Sequence, residues 1–292
     1  MVKQEQVTIN DERVANSFYD ELPTALRAAE ASAKETESSV LSMPEVLVLR
    51  KKAPFSNPIW STLYTCNSEE DVGITPQGNR VVITVHGGGI LTPERIETAY
   101  ERGLTKEYAA PLAESEVRSL LKGKLADGTQ IPVYSFADFR NGIKDLPRRY
   151  AVVMDFDMAK KVASGLVPVE TLRDNPVVIV RAGGVVKANT FVYKVAEQYT
   201  KYGNWHPFNV INPSEAQGCV LFASKLDDGI FSGLDNLGRF LVGVAPEARG
   251  TLESCILSRP WSCTDGVGID WRETDREIKR FEDGLRYLKE IK

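Results

Sequence analysis

The stretch VVITVHGGGILTPERIETAY, residues Val81–Tyr100, combines three patterns that together indicate the fold class. Its first five residues are apolar or β-branched, which is typical of a β-strand. His86 and the glycine turn Gly87–Gly89 follow, and the remainder predicts a helix. A strand, a turn and a helix in succession are the repeating unit of α/β proteins.

The helix in this stretch has signals at both ends. Thr92 is a favourable N-cap, Pro93 suits the first helical position, and Glu94 places an acidic side chain in the first turn. Gly103 follows the last helical residue, where glycine is common. These four residues predict a helix between Thr92 and Gly103.

Apolar runs of strand length recur along the chain. Several are apolar without alternation, which favours strands covered on both faces, as in a parallel sheet. The runs are VVITV (81–85), IPVYS (131–135), YAVVMDF (150–156), PVVIVRA (176–182), GCVLFA (218–223) and RFLVGV (239–244). Helices are predicted between them, at Glu114–Lys122 and after a cap at Asn189 or Thr190. We therefore predict an α/β fold with a mixed or mostly parallel sheet flanked by helices.

The first part of the chain is predicted to be helical and separable. Residues 1–44 form this N-terminal extension, with helices at Asp11–Asp20 and Pro23–Glu37, and residues 45–292 form the α/β domain. EVLVL (45–49) predicts a short strand, and residues 50–80 predict an irregular connection. The aromatic side chains of that connection are expected in the core; they are Phe55, Trp60 and Tyr64.

A C-terminal amphipathic helix is predicted from apolar residues at three- and four-residue spacing. These residues are Ile278, Phe281, Leu285 and Leu288. They form a docking stripe rather than a cofactor site.

Composition and charge disfavour several classes of protein. A net charge of -4 disfavours a nucleic-acid binder, which needs a basic face. No apolar run approaches the roughly 20 residues of a membrane helix, and the first ten residues do not resemble a secretion signal. The cysteines lack C-x-x-C spacing and are expected to be reduced thiols, which points to the cytoplasm. They are Cys66, Cys219, Cys255 and Cys263.

Three residues at the ends of predicted strands are the candidate catalytic groups: His86, Asp155 and Arg181. In an open parallel sheet, ligands bind beyond the carboxyl ends of the strands. If the three strands are neighbours, an acid or base, a carboxylate and a fixed cation share one edge. His86 has a reference pKa of about 6.5, which suits proton transfer near neutral pH.

Each of these residues also has a structural interpretation. His86 fits a buried histidine bonded to the backbone, and Arg181 fits a salt bridge at the edge of the sheet. Asp155 and Asp157 together could hold a cation, although Asp157 also suits the N-cap of a following helix. No spacing of histidine or cysteine supports a metal, so no metal ligand is assigned.

Glycine turns supply the candidate substrate-binding residues. Gly87, Gly88 and Gly89 permit close approach of an anion, and the helix N-terminus at Thr92 favours negative charge. A similar turn holds Gly183 and Gly184. Arg140 is a weak substrate contact, and His206, in GNWHPF (203–208), is a candidate that more often signals a packed loop. Asp138 is set aside because Ser135 and Asp138 resemble a capping box.

Several familiar motifs are absent from the sequence. The glycine spacing is not G-x-G-x-x-G, and no G-K-[ST] occurs, so neither a dinucleotide fingerprint nor a Walker A loop is present. H-G-G-G is also found in the oxyanion loops of some lipases and esterases, but the required G-x-S-x-G is missing. H-E-x-x-H and H-x-E are missing too. No cofactor is therefore assigned.

Two functions remain open. The first is an enzyme, of hydrolase or transferase type, acting on a small anionic metabolite that is phosphorylated or nucleotide-derived. The second is a non-catalytic ligand-binding or assembly protein that uses its terminal helices as partner surfaces, with homo-oligomerisation through them. Convergence of His86, Asp155 and Arg181 in one pocket would favour the enzyme.

Overall fold

A computed structural model describes residues 2–209, 211, 214–224, 229–233 and 239–244. The chain begins with two antiparallel strands, β1 (Lys3–Ile9) and β2 (Glu12–Glu21). The helix predicted at Asp11–Asp20 is therefore wrong. The two strands are joined by Asn10 and Asp11, whose φ angles of 50° and 66° suit a two-residue hairpin turn.

The spacing of apolar residues explains this error. Val14 and Phe18 are four residues apart, which matches one turn of a helix. The same even spacing also places both side chains on one face of a strand, because strand side chains alternate with period two. Both are buried in the hairpin.

The remaining strands belong to one mixed sheet. They are β3 (Tyr64–Ile74), β4 (Arg80–His86), β5 (Ala110–Pro111), β6 (Val133–Ser135), β7 (Tyr150–Asp155), β8 (Gly165–Pro168), β9 (Lys201–Asn204), β10 (Gln217–Ala223), β11 (Ile230–Gly233) and β12 (Arg239–Val244). β3 pairs antiparallel with β4 and β10, and β4 pairs antiparallel with β7. Parallel pairs join β6 to β7, β9 to β11 and β3 to β12. The predicted mixed sheet is confirmed, whereas a mostly parallel sheet is wrong.

Helices flank this sheet, as an α/β arrangement requires. They are α1 (Leu22–Glu35), α2 (Met43–Lys52), α3 (Pro58–Ser61), α4 (Pro93–Arg102), α5 (Glu114–Leu121), α6 (Phe136–Arg140), α7 (Phe156–Lys160), α8 (Pro176–Ala182) and α9 (Val185–Ala196). The predicted helix after Thr92 is confirmed with Gly103 at its C-cap. α9 begins before the predicted cap at Asn189 or Thr190.

Two segments predicted as strands are helices. EVLVL (45–49) lies in α2, which begins with a capping box between Ser42 and Glu45. PVVIVRA (176–182) forms α8, with its N-terminus capped by the Asn175 side chain. Apart from Pro176, α8 is buried, and a buried helix has the same continuous apolar run as a buried strand.

The sheet is buried on both faces. Val82 and Val152 belong to a hydrophobic cluster with α2, α8 and α9, whereas Ile83 and Val85 belong to a second cluster with α1, α4 and α5. Burial on both faces explains why these strands are apolar without alternation, although their pairing is antiparallel. Of the three aromatic residues expected in the core between 50 and 80, Trp60 and Tyr64 are buried and Phe55 packs against them.

Two predictions concerned the ends of the chain, a helical N-terminal extension and a C-terminal helix. β2 pairs with β12, so the first 44 residues contribute strands to the sheet as well as α1. The boundary between a 1–44 extension and a 45–292 domain stays a prediction. The predicted C-terminal helix at Ile278–Leu288 lies outside the described residues. Within the described part of the chain, no helix combines the length and hydropathy needed to cross a membrane.

Candidate functional site

His86 lies at the end of β4 in a continuous chain of hydrogen bonds. Its Nε2 is 2.9 Å from the Val180 carbonyl, which can only accept, so Nε2 carries the proton. Its Nδ1 then accepts from the Ser68 hydroxyl at 2.8 Å, and the Ser68 oxygen accepts from the Met43 amide at 2.9 Å. Burial lowers the pKa of His86 to about 4. The imidazole is therefore neutral at pH 7 and joins α2, β3, β4 and α8.

Arg181 is fully buried on α8 and forms a bidentate ion pair with Glu70. Its Nε and Nη2 each lie 2.8 Å from a carboxylate oxygen of Glu70, which is also buried. Its Nη1 donates to Asn204 Oδ1 at 3.1 Å and to the carbonyls of Trp205 and Ile230. The salt bridge foreseen for Arg181 is present, in the core rather than at the edge of the sheet.

The predicted convergence of three catalytic side chains is wrong. Asp155 pairs with Val81, whereas His86 pairs with Tyr150 at the other end of β4. The two positions are five residue steps apart along the strand, a distance of about 17 Å. Asp155 is exposed and caps α7, since its carboxylate accepts from the Met158 amide at 2.9 Å. The capping role expected for Asp157 therefore belongs to Asp155.

The glycine turn after His86 surrounds an anion that belongs to the protein itself. The amides of Gly87 and Gly88 donate to the Asn67 carbonyl, and both glycines have positive φ, of 83° and 99°. The Glu69 carboxylate accepts from the backbone amides of Ile90 and Leu91, which follow Gly89. The amides that bind this carboxylate therefore lie just beyond the predicted Gly87–Gly89 turn, and the Gly87 and Gly88 amides bind a carbonyl instead.

Gly89 and Thr92 complete this turn. A Cβ on Gly89 would lie 2.0 Å from Glu69 Oε1, so the carboxylate fills the space beside the glycine. Thr92 caps α4 by accepting from the Arg95 amide at 3.3 Å. The contacts of Gly89 and Thr92 are therefore with other residues of the protein.

A second buried carboxyl group lies two residues along β3. Asp71 is fully buried, and neither of its oxygens has a hydrogen-bond partner of normal geometry in the described part of the structure. Burial, followed by the charge of Glu69, raises the pKa of Asp71 well above its ordinary value. Because Glu69 receives two backbone hydrogen bonds and Asp71 receives none, the proton resides on Asp71.

We expect the Asp71→Asn variant to be more stable than the wild-type protein at pH 8, because the amide avoids the cost of ionising a buried carboxyl group. A carboxyl group whose folded pKa is raised binds more protons in the folded state. Its contribution therefore falls as pH rises from the unfolded pKa through the folded pKa. Urea unfolding at pH 5 and pH 8 measures the difference, which should shrink at pH 5.

Asp127 is the matched control, because its hydrogen bonds to Thr129 lower its pKa instead. The Asp127→Asn variant should show the opposite sign of pH dependence and, at this exposed site, a small effect. Equal pH profiles for wild-type protein and Asp71→Asn would contradict the assignment of the proton.

The other predicted binding residues are dispersed. Gly183 ends α8 in the left-handed conformation, and Gly184 precedes α9 with φ of 125°. Arg140 is exposed at the end of α6. His206 is mostly buried, donates from Nε2 to the Val162 carbonyl at 3.1 Å and stacks on Phe208. Burial lowers the pKa of His206 to about 4, and these contacts fit a packed loop.

A small pocket adjoins the end of β4, and it contains residues that the sequence analysis did not select. It is lined by Pro44, Glu45, Leu146, Arg148, Tyr150 and Lys187, among others, and is called the Tyr150 pocket below. Its cavity volume of about 10 Å³ is room for one water-sized atom. Arg148 pairs with the buried Glu45 at 2.9 Å.

The Tyr150 hydroxyl is the unusual group in this pocket. Tyr150 is buried, and its ring packs against His86, with ring centroids 5.0 Å apart, and against Phe139. The hydroxyl has no hydrogen-bond partner among the residues that the structure describes. The sequence analysis did not select Tyr150 because only its antiparallel pairing with His86 brings it beside the histidine. That pairing depends on a sheet order that the sequence does not reveal.

Within the described residues, no group of three or more histidine, cysteine, aspartate or glutamate side chains is arranged to hold a metal ion. No protein-family model matches the chain, and no curated protein sequence matches it. A solved structure described as "Accommodation of massive sequence variation in Nanoarchaeota by the C-type lectin fold" is similar to it, with a TM-score of 0.62 and 25% sequence identity. The similarity covers 81% of this chain and 100% of that one.

The fold of this chain is similar to the C-type lectin fold. This finding overturns the predicted enzyme acting on a small anionic metabolite, and with it the hydrolase and transferase assignments. The alternative, a non-catalytic ligand-binding or assembly protein, agrees better with a lectin-like fold.

Proposed function

We propose that this protein binds a ligand and does not catalyse a reaction. The observation that carries the proposal is the lectin-like fold, which matches the whole length of a solved structure at a TM-score of 0.62. Fold alone does not define function, so the contacts of the candidate catalytic groups supply the second support.

Those contacts are internal to the protein. His86 uses both ring nitrogens within the core, and Arg181 is neutralised by Glu70. Neither side chain is exposed. A general acid or base must come within hydrogen-bond reach of the substrate proton, and a fully buried group is shielded from external substrates.

The geometry of α1 favours ligand binding over assembly through the N-terminal helix. The apolar side of α1 packs within the protein, against β2, β12 and α4. Its buried residues are Leu22, Pro23, Ala25, Leu26, Ala29 and Ala33. This face is therefore already covered, and homo-oligomerisation is a secondary proposal.

We also propose the cytoplasm as the compartment. Cys66 is buried and forms no disulfide within the part of the chain that the structure describes. Free thiols are typical of proteins in reducing compartments, which supports this assignment.

A panel of compounds separates binding from catalysis. The purified protein is incubated with phosphate esters, carboxylic esters, saccharides, peptides and small acids, and NMR quantifies any product. The same compounds are tested for a rise in the thermal midpoint, because a ligand of the native state stabilises it, by about 2.7 kcal/mol at 100 times Kd. We expect stabilisation by at least one class without product, whereas product that scales with protein concentration contradicts the proposal.

A further inference from the structure

The Tyr150 pocket contains a buried hydrogen-bond donor, the Tyr150 hydroxyl. Within the described ranges of the chain this hydroxyl has no partner, although burying a hydroxyl without a hydrogen bond is unfavourable. Such an orphaned group in a native protein requires an explanation, and a ligand that accepts its hydrogen bond provides one.

The charges around the hydroxyl favour an anionic acceptor. Two cationic side chains, Arg148 and Lys187, line the pocket together with one carboxylate, Glu45. Both carboxylate oxygens of Glu45 already have partners. Its Oε2 accepts from the amide and hydroxyl of Ser42, and its Oε1 pairs with Arg148. A second anionic group entering the pocket would therefore be opposed by one carboxylate and attracted by two cations.

The size and shape of the pocket restrict the ligand further. A cavity of about 10 Å³ admits one oxygen-sized atom, and the pocket is not fully enclosed. Gly183 keeps this room, since a Cβ there would lie 3.2 Å from the Tyr150 oxygen and 3.0 Å from Pro44. The ligand must place one oxygen inside and extend the rest of its structure outward.

We propose that the Tyr150 pocket binds a carboxylate, one oxygen of which accepts the hydrogen bond of the Tyr150 hydroxyl. Lys187 and Arg148 balance the negative charge. The carboxylate belongs either to a free small acid or to an acidic side chain of a polypeptide. This inference rests on the proposed function, because it takes the protein as a binder, and it identifies the ligand chemistry of one site.

Saturation-transfer NMR with acetate tests the site directly. Acetamide is the neutral probe of the same shape, and chloride is the competitor without a carboxylate. We expect binding of acetate, no measurable binding of acetamide and weak competition by chloride. Equal binding of acetate and acetamide, no binding of acetate, or competition by chloride at the same concentration as acetate each overturns the assignment.

Variants locate the binding to the pocket. Tyr150→Phe removes only a hydroxyl without a partner, so it should fold and unfold at a temperature equal to or above that of the wild-type protein. We expect Tyr150→Phe and Lys187→Gln to weaken acetate binding at least tenfold. Tyr134→Phe, on the neighbouring strand, and Lys161→Gln, exposed near α7, are controls that should leave it unchanged. An unchanged affinity in Tyr150→Phe overturns the proposal.

An aspartate whose backbone amino and carboxyl groups are both blocked distinguishes a polypeptide carboxylate from a free small acid. Tighter binding of this probe than of acetate supports a polypeptide carboxylate, and equal or weaker binding supports a free acid. Failure of acetate to bind removes the site but leaves the proposed function standing. Conversion of any panel compound to product removes the proposed function and leaves the acetate result intact.

Discussion

Replacing Arg181 by methionine is expected to lower the free energy of unfolding by about 3–5 kcal/mol, the range for breaking a buried ion pair. The loss arises because Glu70 stays buried without its partner, and because Asn204 and two carbonyls lose their donor. Urea denaturation at pH 7 measures the change. An effect of this size would unfold a protein of marginal stability, so expression level is a second readout.

Two further variants distinguish the ion pair from simple loss of packing. Adding Glu70→Leu to Arg181→Met removes the unpaired carboxylate and should recover part of the lost stability. Arg118→Ala breaks the exposed pair between Arg118 and Glu114, and should cost no more than about 1 kcal/mol. A double variant as unstable as the sum of both single variants would contradict this account.

The sequence predicted elements well where the deciding signals are close together in the chain. Thr92, Pro93 and Gly103 define α4 within a dozen residues, and the structure begins and ends the helix at those positions. Ser135 and Asp138 likewise define the start of α6, where the Ser135 hydroxyl accepts from the Asp138 amide. Caps act through neighbouring backbone groups, so local sequence is sufficient.

The prediction failed where burial, rather than local sequence, selects the conformation. α8 is apolar throughout because it is enclosed, and an enclosed strand has the same pattern. β3 was missed for the opposite reason, since its Ser68–Asp71 segment is polar yet buried. The partner of Glu70 is Arg181, 111 residues away, and no local pattern indicates such a contact.

The candidate site shows the same difference between local signals, which the sequence reveals, and long-range contacts, which it does not. The glycine turn was expected to bind an anion through its own amides, but the Gly87 and Gly88 amides donate to the Asn67 carbonyl, and the Ile90 and Leu91 amides just beyond the turn bind Glu69. His86 was selected as one of two histidines, and its structural alternative, a buried ring bonded to the backbone, describes its contacts. Residue type therefore indicated which groups are special, while the strand order determined whether they face solvent or each other.

Acid is expected to destabilise the protein through its histidines. The pKa of His86 falls from 6.5 to about 4 in the folded state, so between these values the unfolded chain binds a proton that the folded protein does not. Stability therefore rises with pH across this window and is lost as pH falls below about 6.5. The linkage relation gives a loss of about 2 kcal/mol at pH 5 relative to neutral pH for this one group.

Urea unfolding of wild-type protein and His86→Gln at pH 7 and pH 5 measures this loss. The amide of glutamine can still donate to the Val180 carbonyl but does not titrate, so the variant should lose about 2 kcal/mol less than wild-type protein between the two pH values. Comparing changes with pH, rather than absolute stabilities, cancels any cost of the substitution itself. The buried carboxyl groups Glu69 and Asp71 are present in both proteins and cancel in the same way.

His206 extends the experiment, because the chain has two histidines and burial lowers the pKa of His206 as well. The double variant His86→Gln/His206→Gln contains no histidine and should lose the least stability between pH 7 and pH 5. Each single variant should fall between it and wild-type protein. Parallel pH profiles for all four proteins would show that neither ring is held neutral by the fold, because the protonated and neutral forms would then be equally compatible with the folded state.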